Sequence, residues 1–298
     1  MTDLKKIEKI IVKYLKDNSK DNFEHEYLII AEKLLFKYKT KPKNNTELIS
    51  RLYRNFPLNI LNFHDEYYSS LSKEVIESID MYESDQYEEI NNLMRKNKFN
   101  IKYVNYNVKQ DIIRNTLNIN LKSKNKPSKE SIDKDVYKVL SKRYKNAIKL
   151  IKTSIYNAPS INKNIYVYRG EYNTYPLFKE PKRSHYNHEK ICHSIKQINL
   201  KENQIYSTNS FNSFTFAPWI AAAFNNTKLC CLYRLKITQQ TKSLIMPFRN
   251  RTENDERDEY ELLLPPADFK VTKEHKILSD LSPDIFIKVY DLEFVNAL

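Results

Sequence analysis

Ile165-Tyr-Val-Tyr-Arg-Gly170 is the point at which the chain changes texture. Four β-branched or aromatic residues in succession have the character of a strand. An arginine ends that strand and is followed by Gly170, the one glycine among 298 residues. An average composition of about 7% glycine would supply roughly twenty. In so glycine-poor a chain Asn must take most left-handed turn positions. Where a glycine is kept, close backbone approach or an unusual φ/ψ is the natural reason.

Upstream of this stretch the apolar spacing is helical. Ile7, Ile10, Ile11, Tyr14 and Leu15 recur at three and four, and a second such run covers Tyr27 to Tyr38. Pro42 interrupts, and Thr46 is placed to cap a further helix to about Phe56. A helical N-terminal extension is therefore expected over residues 1–60, ahead of one larger domain at 61–298. Within the latter, Leu71 to Asp80, Met81 to Ser84 and Asp85 to Arg95 keep the helical pattern, and 122–131 forms a loop. Ser131 or Asp133 then opens a long helix to about Tyr156, with Val136, Leu140, Tyr144, Ala147 and Ile151 on one face. Pro159 stops it.

Downstream the runs are short and strand-like: Gln204 to Thr208, Leu229 to Ile237, Glu259 to Leu264, Phe269 to Val271 and Ile285 to Leu292. One alanine- and aromatic-rich helix, Ala217 to Asn225, interrupts them. Helices first and strands later define an α+β protein, not a doubly wound alternation.

The formal charge of +13 and the pI near 9.3 favour encounters with acidic partners. Residues 121–152 carry eleven Lys/Arg against Glu130, Asp133 and Asp135, a local excess of eight. This stretch is a candidate nucleic-acid contact, although no recognised nucleic-acid motif accompanies it and the Lys/Asn/Ile/Tyr-rich composition accounts for it equally. Cys192, Cys230 and Cys231 make no disulfide framework. No secretory signal or membrane-spanning run is visible, so the expected place of action is a cytosol, its own or a host's, and the expected state a monomer. His185, His188, Cys192 and His193 lie close together, but their spacing matches no common ligand pattern and no metal is expected.

Three segments carry chemistry. Arg169 at a strand end can grip a phosphate bidentately, with Gly170 admitting the ligand to the backbone; a surface arginine beside a turn glycine looks the same. In Phe211-Asn-Ser-Phe-Thr215 the hydroxyls of Ser213 and Thr215 share one face of a strand, an arrangement that positions a carboxylate or a sugar. Ser and Thr near strand ends are also common turn formers. In Arg257-Asp-Glu-Tyr-Glu-Leu-Leu-Leu-Pro265 the period of two places Glu259 and Glu261 on one face, where like charges raise each other's pKa. A charged edge strand is the plain alternative, but acid–base chemistry uses such a pair.

In this order the three segments resemble the signature of the ADP-ribosyltransferase family of bacterial toxins and arginine-specific ectoenzymes. The resemblance rests on Tyr168-Arg169-Gly170, on Phe211-Asn-Ser213-Phe-Thr215 with Phe224 closing the alanine-rich helix, and on Glu259-Tyr-Glu261 with Leu263-Leu-Pro265. Leu71 to Ile79, Tyr82 and Tyr87 to Arg95 are similar to the helices that open the toxin-type catalytic domain, so the likeness runs from about residue 65 onward. Phe214 departs from the threonine usual in the family's Ser-Thr-Ser.

The resemblance implies a two-sheet β core after the helices, and NAD as a substrate cleaved at its nicotinamide–ribose bond. It implies that Arg169, beside Gly170, binds the NAD phosphates and that Glu261 bonds the ribose 2′-hydroxyl, steadied by Ser213, with Thr215 supporting the strand or the nicotinamide pocket. Glu259, where glutamine would go with asparagine-modifying members, implies transfer to arginine on an acceptor protein. The acidic loop 249–258 is where such an acceptor would dock. A NAD glycohydrolase using water as acceptor is the rival activity, and a basic nucleic-acid-binding protein the rival class.

Overall fold

A computed structural model of the chain describes residues 22–57, 60, 64–84, 86–120, 127–161, 163–170, 199–223, 231–246, 260–278 and 286–298. The longer helices are α1 (Asn22–Leu34), α2 (Asn45–Arg54), α3 (Lys73–Glu83), α4 (Tyr87–Lys96) and α5 (Lys129–Asn157). After α5 come β1 (Ile165–Gly170), β2 (Ile205–Ser207), β3 (Asn212–Thr215), the short helix α6 (Pro218–Ala223), β4 (Cys231–Ile237), β5 (Leu244–Ile245), β6 (Glu261–Leu264), β7 (Ala267–Leu278) and β8 (Phe286–Ala297). Helices precede strands, and the protein is α+β.

The chain forms two compact units. One holds 69–158 with 209–211 and is built on α5. There Ser128 accepts from the Ser131 amide at 3.2 Å and caps the helix, so α5 starts earlier than the expected Ser131 or Asp133. Ile132, Val136, Leu140, Tyr144, Ala147, Ile151 and Ile155 form its buried stripe. Ser72 caps α3, and α4 ends on left-handed Asn97, φ 52°, the use of Asn expected in a glycine-poor chain.

The other unit holds residues 1–68, 159–208 and 212–298, so the described part of the N-terminal segment shares a core with the strands. Asn44 Oδ1, not Thr46, accepts from the Glu47 amide at 2.9 Å to open α2. Helix α1 packs on α6. Just beyond α1, the Phe36 ring lies over the Arg234 guanidinium at 4.4 Å, with Tyr166 at 4.5 Å from the same group. Arg234 is buried and forks onto Asp291 with two 2.7 Å bonds, while its remaining arm donates to the Leu34 carbonyl at 3.3 Å.

All eight described strands belong to one mixed sheet in the order β2-β7-β8-β4-β1-β3-β6-β5. The two sheets implied by the resemblance are continuous here, yet a single registered pair, Tyr168 with Thr215, joins β1 to β3. By contrast β1 and β4 pair over six positions. Central placement explains why Val167 and Tyr168 are both buried: β1 is covered on both faces. Two expected strands run longer than their sequence signal, since β7 extends to Leu278 and β8 from Phe286 to Ala297. Two-residue β5 carries no such signal. No helix among the described residues is long and apolar enough to cross a membrane.

Candidate functional site

Thr215 is where the three sequence segments meet. Its Cα is registered with Tyr168 of β1 on one side and with Glu261 of β6 on the other. Arg169, one residue beyond Tyr168, donates through Nη1 to the Ser213 carbonyl at 2.8 Å. Strand register and this bond thus bring Arg169, Ser213, Thr215 and Glu261 onto three neighbouring strands of the sheet, β1, β3 and β6.

Each group has a distinct local role. The Arg169 Nε is buried and has no hydrogen-bond partner among the described residues, an arrangement that costs energy unless an acceptor arrives. A guanidinium anchored at one arm and unsatisfied at another is suited to an incoming anion. Gly170 has no positive φ; it lies within β1 opposite Leu232. Its value is therefore room beside Arg169 and not a left-handed turn, which corrects the second reason considered from sequence. Ser213 and Glu261 are partly exposed, whereas Phe214 points into the core. The Thr215 hydroxyl accepts from the Ala217 amide at 3.0 Å and so ties β3 to the start of α6.

The approach to Glu261 departs from the period-two expectation. Tyr260 has φ 47°, in the left-handed region that a bulky residue enters only when its surroundings hold it there. Strand β6 begins at Glu261, so alternation cannot be carried back through Tyr260. Glu259 and the acidic loop 249–258 lie outside the described residues, as do Phe224 and the histidine–cysteine group at 185–193.

What holds Tyr260 is visible. Its carbonyl accepts from the Phe216 amide at 3.0 Å. Its ring meets Phe56 edge-on at 5.0 Å and Trp219 at 6.4 Å, and Phe56 lies 5.3 Å from Trp219. On the other side the Glu261 carbonyl accepts from the Met246 amide at 3.0 Å, next to β5. Strand β5 is held in turn by His64, whose Nδ1 accepts from the Ile245 amide at 3.0 Å while Nε2 donates to the Pro159 carbonyl at 2.9 Å. Those bonds define a neutral imidazole, and burial pulls its pKa down to about 4. The sequence reading marked Phe56 only as the end of a helix, and gave no sign of His64 or β5.

The sequence matches the model of the ADP-ribosyltransferase exoenzyme family over residues 62–290. The chain belongs to that family. No curated protein matches it. Among solved structures, the enzymatic component C2-I of the Clostridium botulinum C2 toxin is similar at 17% identity, over 78% of this chain and 45% of that one, with TM-score 0.44. The Vibrio splendidus Vis toxin is similar at 15% identity over 87% and 89%, TM-score 0.46. C3larvin from Paenibacillus larvae is similar at 14% identity over 79% and 94%, TM-score 0.44. The chain spans less than half the length of the C2 component.

Proposed function

We propose that this protein is a mono-ADP-ribosyltransferase that moves ADP-ribose from NAD to an arginine of an acceptor protein. The observation that carries the proposal is the convergence at Thr215, which assembles an unsatisfied arginine, a serine and a glutamate from three separate strands. The family match is consistent with it.

In the proposed reaction the C1′–N bond of the nicotinamide riboside breaks and its electron pair leaves with neutral nicotinamide. The positive charge that develops on the ribose calls for a nearby carboxylate in a preorganised setting. Glu261 supplies it and bonds the 2′-hydroxyl, with Ser213 beside it. Arg169 holds the phosphates, and Gly170 leaves the ligand room beside the backbone. Thr215 braces the strand that carries Ser213.

The acceptor guanidinium is a cation at physiological pH, with a pKa above about 12, and must lose a proton as its nitrogen bonds C1′. Glu259 takes that proton. General-base and orienting effects of this kind contribute on the order of 10² to 10⁴ in rate. Glu259→Gln should therefore lose labelling of agmatine or protein arginine from radiolabelled NAD by about that factor while retaining NAD hydrolysis. Parallel loss of both activities would refute this division of labour, and a wild type that only hydrolyses NAD would establish the glycohydrolase instead.

A further inference from the structure

Resting on that role of Glu261, we propose that Phe56 and His64 are positioning residues for its carboxylate, so that a segment upstream of the expected catalytic helices is part of the site. Glu261 is the first residue of its strand, and its backbone is set from two directions. From one side comes Tyr260, in a left-handed conformation with φ 47°. The Phe216 amide fixes the Tyr260 carbonyl, but the side chain is fixed by packing, edge-on to Phe56 at 5.0 Å and near Trp219 at 6.4 Å. From the other side comes the Met246 amide, bonded to the Glu261 carbonyl. The preceding residue, Ile245, donates to His64 Nδ1 and is registered with Leu262.

A left-handed tyrosine returns to the extended region when the contacts that hold it are removed. Because Tyr260 adjoins Glu261, such a change rotates the carboxylate away from the ribose without touching Arg169. Phe56 is 7% exposed and His64 1%, so neither side chain is placed to contact substrate. Their effect is transmitted through Tyr260 and β5.

The consequence is a kinetic split. Displacement of a catalytic group by about 1 Å can cost on the order of 10²-fold, whereas phosphate binding at Arg169 is left intact. The test uses the full chain and measures nicotinamide release from NAD for wild type, Phe56→Leu, Phe56→Tyr, His64→Gln and Glu261→Gln, with thermal melting of each. Expected are a fall in kcat of about ten- to a hundred-fold in Phe56→Leu with KM for NAD within about twofold, and recovery in Phe56→Tyr, which restores the aromatic edge. His64→Gln, expected to lower kcat at constant KM, carries the test if Phe56→Leu does not fold. Unchanged kcat in the folded variants, a rise in KM that accounts for the whole loss, or equal loss in Phe56→Leu and Phe56→Tyr would overturn the proposal. Glu261→Gln separates the two layers: if it retains wild-type NAD cleavage, the role of Glu261 fails, whereas its inactivity beside an unaffected Phe56→Leu sinks only the positioning role.

Discussion

Arg169 has a visible place in the fold and a proposed one in the chemistry. Its Nη1 bond to the Ser213 carbonyl ties two strands that share a single registered pair, and its Nε is left without a partner among the described residues. Lysine cannot do both, because one ammonium on a flexible stem replaces a planar fork. Arg169→Lys is expected to raise KM for NAD about ten-fold or more, measured by nicotinamide release, with a smaller change in kcat. A kcat-dominated defect would place this arginine against the reacting ribose instead of the phosphates. The residues proposed for this chemistry were legible because Arg-Gly, Ser-x-Thr and Glu-x-Glu keep their order along the chain. The expectation that Glu259 and Glu261 share a face assumes extended backbone, and Tyr260 between them is left-handed. The tendency of this glycine-poor chain to use Asn for such positions does appear, at Asn97, Asn118 and Asn203. Phe36 and Tyr260 break it because aromatic packing, not intrinsic preference, holds them.

Among elements, two-residue β5 depends on the side chain of His64. The neutral imidazole accepts from Ile245 and donates to Pro159, so a second proton would break the first of these bonds. Burial lowers the folded-state pKa to about 4 from 6.5. The sign follows: below pH 6.5 the unfolded chain binds a proton that the folded chain refuses until about pH 4. Stability is complete above 6.5 and declines as pH falls through this window, with a slope of up to about 1.4 kcal/mol per pH unit from this one group. Urea unfolding between pH 4.5 and 7 should show a shallower dependence in His64→Gln than in wild type. Equal slopes would mean that His64 is not buried neutral. Caps were less legible than helices: α5 begins at Lys129 behind Ser128, and α2 behind Asn44, because several polar residues in a row offer the same oxygen and only the final fold selects one.

For the molecule as a whole, the boundary drawn from sequence at residue 60 meets a core that crosses it. Leu28, Leu34, Leu52, Phe56 and Ile60 belong to the same buried cluster as Trp219, Leu262 and Tyr290. Lys33 donates to the Leu278 carbonyl at 2.9 Å, and Arg234 reaches Leu34. A chain starting at residue 61 would expose those apolar faces and leave Arg234 without its Phe36 cover. It is expected to be insoluble or to melt well below the full chain, as followed by circular dichroism. An unchanged melting temperature would show that 1–60 is a separable extension. Helical spacing revealed α1 and α2 but not their destination, because an amphipathic face does not name the surface it covers, and the run from Ile7 to Leu15 lies outside the described residues. The α+β order was legible for the opposite reason: the change of period at Ile165 is local.

Glu261, at the end of a strand registered with Thr215, is proposed to support cleavage of the nicotinamide–ribose bond in a site that Arg169 loads. Nicotinamide release from NAD by wild type and Glu261→Gln tests it most directly. Expected are turnover by the wild type and a loss on the order of 10²-fold or more in kcat for the variant, with KM for NAD little changed. Comparable turnover by the two proteins, or none by the folded wild type, would contradict it.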